Sequence, residues 1–316
     1  KTMESLAYSG GFDSFEGIRR DQFFLPNSKG EVFIEALCRY GSKLQNDTMN
    51  NGNSLFGDDD AGFKPTPPDI PVPAPEYNKL EFLKKEKELV GMYLSSHPLD
   101  IYKFEMNNFV ATTLADAQQL VADAATDSSL HKKEIYIAGL VSSVSKKVSQ
   151  KSGKPWISFS IEDFNSSLNF SLFGRDYETF MQFIENGQAL FIKCAIMPRI
   201  YGKPQDEESK ENSGPVECDL KIRKITLLAN TKEEFIKSFT INLPVTKVDK
   251  AFRSELVKML KANKGKKALS IKALDYQNQI AVEFFSRKYK IDINTDLIDF
   301  IEHHNLEYTL ESQIAM

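Results

Sequence analysis

In the octapeptide WISFSIED, residues 156–163, apolar and polar side chains alternate from Ile157 to Glu162. Its apolar side consists of Ile157, Phe159 and Ile161. Successive side chains of a strand point to opposite faces, so this pattern predicts a strand with one buried face and one exposed face. The outward residues are then Trp156, Ser158 and Ser160.

Similar strand patterns lie on both sides of this octapeptide. They are IYIAGLVSSVSKKV (135–148), SLNFSLF (167–173), ALFIKCAIM (189–197) and VECDLKIRKITLL (216–228). An amphipathic helical pattern, DYETFMQFIEN (176–186), separates the third strand from the fourth. Three strands, one helix and two strands is the order of a five-stranded OB-fold β-barrel, which we therefore predict for residues 131–230.

OB barrels bind single strands through a positive groove with aromatic platforms. The candidate nucleic-acid-binding residues are Lys146, Lys147, Lys151, Lys154, Trp156 and Arg175. The alternative is a solvated hairpin whose lysines discourage aggregation. Carboxylates in the loop before the fifth strand, at Asp206, Glu207, Glu208 and Glu211, would repel phosphate. We therefore expect weak, salt-dependent contact with single-stranded DNA.

Composition gives the broad class. The chain has 316 residues, 41% apolar and 27% charged, which is typical of a soluble protein of several domains. Its net charge of −4 means that any nucleic-acid surface is a local patch. The three cysteines lack metal-binding spacing, and no nucleotide-binding or hydrolase motif is present. We predict no catalytic residue, metal or cofactor in this chain, and no membrane span.

A helical pattern begins at Leu80 and leads into LSSHPLD, residues 94–100. Phe82, Leu83, Leu89, Val90, Tyr93 and Leu94 form its apolar stripe. Glu86 lies inside that stripe and must be paired or hydrogen-bonded, because an uncompensated buried charge is costly. Pro98 is expected to stop the helix. This segment is interpreted as a structural joint built by Glu86, Gly91, Tyr93, His97 and Pro98.

Residues 86–100, EKELVGMYLSSHPLD, resemble the signature EKELLGFYLSGHPLD of the bacterial replicative DNA polymerase, the DNA polymerase III alpha subunit. The departures are Val90, Met92 and Ser96. The resemblance implies that a cytoplasmic parent protein extends primers with Mg²⁺ and that its active-site carboxylates precede Lys1. This chain would then be a non-catalytic C-terminal region.

Residues 1–46 are predicted to form two helices, one ending at Gly10-Gly11 and one from Gly17 to Leu44, broken near Pro26. LAYSGGFDSF with IRRDQFF is similar to the end of the family's helix-hairpin-helix region, which binds duplex DNA. Arg19 and Arg20 would then contact phosphate, or else form an exposed basic helix start.

Residues 47–78 are predicted to be a flexible, proline-rich linker. In the family, a Q-x-(S/D)-L-F segment here docks the sliding clamp. Ser54, Leu55 and Phe56 match it, and Gly52 replaces the glutamine. The alternative is that Leu55 and Phe56 pack on the preceding helices.

Residues 79–130 are predicted to be a helical connector in which Thr113 caps a helix. Residues 231–316 alternate strand and helix patterns and are predicted to form a small C-terminal α/β domain. Its position in the family implies docking of the clamp-loader tau subunit. The fold class is therefore multidomain α+β.

The favoured function is an accessory region of a replicative DNA polymerase that positions single-stranded template and connects to the clamp and the clamp loader. One alternative is a freestanding OB-fold protein that binds single-stranded nucleic acid. The other is a protein-interaction scaffold without nucleic-acid binding.

Overall fold

The computed structural model describes residues 1–51, 65–74, 79–150, 152–199 and 216–313. The chain divides into two compact units, Lys1–Asp100 and Ile101–Met316. The predicted connector over residues 79–130 is therefore divided at Asp100. The predicted OB-fold domain and the predicted C-terminal domain lie in the same unit.

The first unit is helical. Its helices are α1 (Thr2–Tyr8), α2 (Phe33–Asn51) and α3 (Lys79–Val90), and a short 3₁₀ helix covers Arg20–Phe24. The break predicted near Pro26 in the second helix is present, but the segment before it is a short 3₁₀ helix and not part of a long α-helix. A bridge between Pro26 and Val32 separates the 3₁₀ turn from α2, which continues past the predicted domain boundary at residue 46.

The core of the first unit joins aromatic rings from three elements. Tyr8 of α1 stacks on Phe24 with ring centroids 4.0 Å apart, and its ring lies 5.6 Å from that of Phe82 in α3. Leu83 is 2% exposed, whereas Leu89 and Val90 are 47% and 40% exposed. Only the first turns of the predicted apolar stripe are therefore docked. The exposed members of the stripe are Leu89, Val90 and Leu94.

The proline-rich residues 65–74 have no helix or strand, but they are anchored to the first unit. Gln22 Nε2 donates to the carbonyl of Pro71 at 2.6 Å, and Ser28 N donates to the Asp69 carboxylate at 3.0 Å. The carboxylate of Asp21 accepts from Ala74 N at 3.2 Å. This part of the predicted flexible linker is thus held at Asp69, Pro71 and Ala74 by hydrogen bonds with side chains.

The second unit begins with helices α4 (Lys103–Phe109) and α5 (Leu114–Asp123). Thr113 caps α5 as predicted, because its Oγ1 accepts from Asp116 N at 3.1 Å. Leu114 and Ala117 are fully buried against the first sheet. Helix α5 therefore covers one end of that sheet's core.

The first sheet has five antiparallel strands in the order β3-β2-β1-β4-β5. They are β1 (Glu134–Val148), β2 (Pro155–Glu162), β3 (Ser167–Phe173), β4 (Ala189–Pro198) and β5 (Cys218–Leu227). Helix α6 (Gly174–Phe180) lies between β3 and β4, as predicted. Among the described residues, the edge strands β3 and β5 form no ladder and line a cleft of about 680 Å³. The order of elements matches the prediction, but a closed barrel is not confirmed.

The second sheet has four strands in the order β8-β7-β6-β9. They are β6 (Ile236–Pro244), β7 (Lys264–Asp275), β8 (Ile280–Ile291) and β9 (Glu307–Ser312), accompanied by helices α7 (Thr231–Phe235), α8 (Lys250–Ala262) and α9 (Thr295–His303). Helix α8 connects β6 to β7, which pair in parallel. Gly265 allows β7 to approach the end of β8, since a Cβ there would lie 2.3 Å from Asp292 N. Two sheets with helices confirm the α+β class.

Aromatic rings join the two sheets of the second unit. Phe235 lies 5.4 Å from Phe191 of β4 and 6.0 Å from Phe109 of α4. Tyr308 of β9 stacks on Phe104 at 5.8 Å, and its hydroxyl accepts from Asn108 Nδ2 at 3.0 Å. This shared wall explains why two predicted domains form one compact unit.

Candidate nucleic-acid interface

The register of β1, β2 and β3 aligns outward side chains in three rows, which we call the outer face. The rows are Lys147–Trp156–Phe173, Ser145–Ser158–Ser171 and Ser143–Ser160–Asn169. Between them along β2 lie Ile157 and Phe159, which are 0% and 1% exposed. The predicted inward and outward sides of residues 156–163 are thus confirmed.

The outer face is rich in hydroxyl groups and carries no carboxylate among its nine side chains. In its third row, Ser143 Oγ donates to Ser160 Oγ at 3.0 Å, and Ser160 Oγ donates to Asn169 Oδ1. Hydroxyl and amide groups of this kind are suited to contact with phosphate and sugar. Nothing within these rows repels an anionic chain.

The first row ends in two stacked rings. Trp156 and Phe173 have centroids 5.1 Å apart and an interplanar angle of 22°. Lys147 Nζ lies 5.3 Å from the centroid of the Trp156 ring. Phe173 is 59% exposed. It was missed by the sequence reasoning, although the alternation of SLNFSLF places it outward, on the face opposite Leu172.

The predicted cations are not all on this face. Lys147 and Lys154 line a concave surface of about 540 Å³ together with Trp156 and Phe173. Lys146 is paired with the buried Ile157, so it belongs to the opposite side of the sheet. Grouping Lys146 with Lys147 was therefore wrong, because neighbouring residues of a strand alternate.

Two further predicted cations have different positions. Arg175 is exposed in the first turn of α6, two residues after Phe173. Lys151 lies outside the described residues. Of the predicted cations that the structure describes, two lysines thus lie on the concave surface and one arginine lies at its margin.

The cleft between β3 and β5 has a different electrostatic character. Arg199 donates to Asp219 at 2.8 Å and lies 3.2 Å from the carboxylate of Glu217. These pairs neutralise the arginine at the rim of the cleft. The cleft therefore fits an anionic ligand less well than the outer face does.

In the first unit, the predicted joint surrounds a buried carboxylate. Glu86 is 0% exposed and accepts from Arg20 Nη1 at 2.5 Å. It also accepts from Ser95 N at 2.7 Å, from Ser95 Oγ at 2.7 Å and from Leu94 N. Burial raises the pKa of Glu86, but these hydrogen bonds outweigh burial and lower the pKa to about 2. The prediction that Glu86 is buried and paired is confirmed.

Helix α3 ends earlier than predicted. Gly91 has φ of +92° and donates to the Lys87 carbonyl at 2.8 Å, which is a glycine helix ending. The predicted stop at Pro98 is therefore wrong. The early end frees the next residues to turn back, and the amides of Leu94 and Ser95 then reach the Glu86 carboxylate.

The remaining joint residues order the turn after α3. The ring of His97 lies 5.1 Å from that of Tyr93 at 79°, and His97 Nδ1 accepts from Leu99 N at 3.2 Å. His97 N donates to the Asp100 carboxylate at 2.7 Å. Pro98 is buried and begins a short 3₁₀ helix. These contacts fit a structural role.

Arg20 contacts carboxylates within the first unit. Besides Glu86, it contacts the Asp13 carboxylate at 2.8 Å through Nε, and its side chain is 11% exposed. The hydrogen bond to Asp13 raises its pKa, although burial opposes this, and Glu86 raises it further. Arg19 is bonded to Asp21 at 2.7 Å. The largely buried Arg20 therefore contradicts both sequence interpretations, whereas Arg19 precedes the first residue of the 3₁₀ helix and its side chain is 44% exposed.

The clamp-binding prediction at Ser54, Leu55 and Phe56 lies outside the described residues. In the part of the chain that the structure describes, no three His, Cys, Asp or Glu side chains are grouped to hold a metal ion. Within those same ranges, no helix combines the length and apolar character needed to cross a membrane.

The fold and the outer face together define an α+β protein with a five-stranded antiparallel sheet and a mixed four-stranded sheet. Residues 239–311 match the family model of the DNA polymerase III alpha subunit, C-terminal domain. The DNA polymerase III subunit alpha of Saccharopolyspora erythraea is 25% identical over 275 residues, which are 86% of this chain and 21% of that protein. Its counterpart in Mycobacterium tuberculosis is 27% identical over 207 residues, 63% of this chain and 16% of that protein.

These matches confirm the resemblance predicted from residues 86–100, to a C-terminal region of the DNA polymerase III alpha subunit. The chain spans about a fifth of the length of these curated relatives. Among solved structures, a mitochondrial single-stranded DNA binding protein of S. cerevisiae is 13% identical, with a TM-score of 0.21 over 30% of this chain and 95% of that one. A TM-score of this size does not define the fold.

Proposed function

We propose that this chain is the non-catalytic C-terminal region of a replicative DNA polymerase and that its outer face contacts single-stranded template DNA. The parent protein would be cytoplasmic and would extend primers with Mg²⁺ held by carboxylates in another part of the polypeptide. The similarity to alpha subunits over 86% of the chain supports the family assignment.

The row Lys147–Trp156–Phe173 is the observation that carries this proposal. It combines a cation with two stacked rings on a face whose other rows are polar and uncharged. Proteins that bind single strands without sequence preference use this combination, because lysine attracts phosphate and rings stack on bases. The chain as a whole has a charge of −4, so the attraction must be local.

The first sheet would act as an OB barrel that remains open between β3 and β5. The order β3-β2-β1-β4-β5, with α6 between β3 and β4, supports this. Oligonucleotide-binding barrels of this type use the face of strands 2 and 3. Trp156 and Phe173 belong to those two strands.

The β7–β8 hairpin supports a second role in assembly. Its exposed apolar residues are Tyr276, Ile280, Val282, Phe284 and Phe285. Strand β8 is also an edge of its sheet, and an exposed apolar edge is suited to adding a strand from a partner. In this proposal the hairpin docks the clamp-loader tau subunit, and Ser54, Leu55 and Phe56 dock the sliding clamp.

Titration of the whole chain with a fluorescent oligothymidylate tests the main proposal. If Lys147, Lys154 and Arg175 each contact a phosphate, log affinity should fall with log salt with a slope of about −2. Absence of salt-dependent binding at low ionic strength would contradict the proposal and favour the scaffold alternative.

A further inference from the structure

The two rings of the outer face differ in what covers them. Trp156 lies on β2, between β1 and β3, with Lys147 on one side and Phe173 on the other. Phe173 stacks on its ring at 5.1 Å, and Lys147 Nζ lies 5.3 Å from its centroid. The indole therefore has a strand neighbour on each side and is only partly exposed.

Phe173 has a different situation because β3 is the edge strand of the sheet. One face of its ring stacks on Trp156, and within the described residues no strand pairs with β3 on the far side, where Phe173 also lines the cleft toward β5. Among the described residues, Trp156 is the ring partner of Phe173, and the side chain remains 59% exposed. An aromatic face of this size is the surface that an unpaired base uses for stacking.

We propose that a base of the bound single strand stacks on Phe173, and that Trp156 stacks on the opposite face of the Phe173 ring. Lys147 holds the indole from the other side by a cation–π contact. A base of the bound strand would thus extend the stack of these side chains, which then has the order Lys147, Trp156, Phe173, base. This inference rests on the proposed function of the outer face.

Stacking also predicts what the site recognises. Every base has a π-face, so a ring at the sheet edge can stack on any base and does not distinguish one base from another. Lysine contacts, in contrast, require only phosphate. The site should therefore prefer a strand with bases over an abasic strand of equal charge.

The test compares an oligothymidylate with an abasic strand of the same length, using the whole chain and its Phe173→Ala variant. The wild type should bind the oligothymidylate about 10-fold more tightly than the abasic strand, the size of one base–aromatic stack. Phe173→Ala should lose most of this preference and bind the abasic strand as the wild type does. The matched control is Phe164→Ala, since Phe164 is 50% exposed at the opposite end of the β2–β3 pair.

Intrinsic fluorescence gives a second readout. Trp156 is the one tryptophan of the chain, so its emission should change when oligothymidylate binds and change less with the abasic strand. Equal wild-type affinity for the two strands, or an unchanged preference in Phe173→Ala, would overturn the stacking inference while salt-dependent binding persists. Loss of binding to both strands in the wild type would instead overturn the proposed function itself.

Discussion

The turn around Glu86 and the outer face of β1–β3 use charged and aromatic residues in opposite ways. Around Glu86 the charges are buried and paired, and backbone amides complete the hydrogen bonding. On the outer face the lysines and Phe173 are exposed, and their chemistry remains available to a ligand. The segment that carries the family signature thus has its buried carboxylate hydrogen-bonded internally, whereas the proposed contact surface lies in strands without a diagnostic motif.

The largest expected effect comes from breaking the buried pair. Arg20→Met would leave the Glu86 carboxylate buried without its cation, which typically costs 3–5 kcal/mol. Urea unfolding followed by circular dichroism should show this loss in the first unit. The control is Glu88→Gln, which removes an exposed pair with Lys85 and should change stability far less. Equal effects from the two variants would contradict the structural role of the turn.

The pH dependence of stability tests the contribution of the buried Glu86 carboxylate. The pKa of Glu86 is lowered from 4.5 to about 2 in the folded protein, so its contribution to stability is present above pH 4.5 and is lost as the pH falls toward 2. At neutral pH this contribution is roughly 3 kcal/mol. The difference in unfolding free energy between wild type and Glu86→Gln should therefore narrow from pH 7 to pH 2.5. A constant difference would show that Glu86 titrates normally.

A smaller effect is expected on the outer face, and it concerns binding and not folding. Reversing the charge of Lys147 and Lys154 together should weaken oligothymidylate binding by about 10-fold or more at low salt and flatten the salt slope. The melting temperature should stay within about a degree or two, because exposed substitutions change stability little. Lys146→Glu, on the other side of the sheet, is the matched control. If Lys146→Glu weakens binding as much as the double variant, the face assignment fails.

Much of the fold could be predicted because its signals are local. The period-two pattern of residues 156–163 predicts strand β2 with its buried and exposed faces, and Thr113 predicts the start of α5. The alternation of side chains along a strand also predicts that Lys146 and Lys147 lie on opposite faces and that Phe173 points outward. Those two results require the alternation to be applied to each residue of a strand, because closeness in sequence alone groups Lys146 with Lys147.

The rest depends on contacts that sequence spacing does not show. Arg20 reaches Glu86 across 66 positions of the chain. Glycine and proline both stop helices, and only the positive φ at Gly91 shows which one ends α3. Whether β3 and β5 approach closely enough to close a barrel depends on sheet twist and on packing against α5. The sequence pattern predicts the order of the strands but does not predict whether the barrel closes between β3 and β5.

Lysine footprinting tests the central claim most directly. The whole chain would be acetylated with a lysine-reactive reagent with and without a saturating oligothymidylate, and the modified residues would be quantified by mass spectrometry. Lys147 and Lys154 should be protected from acetylation in the bound state, with no change at Lys146 or at Lys85 of the first unit. Unchanged labelling of Lys147 and Lys154 in the bound state would contradict contact through the outer face.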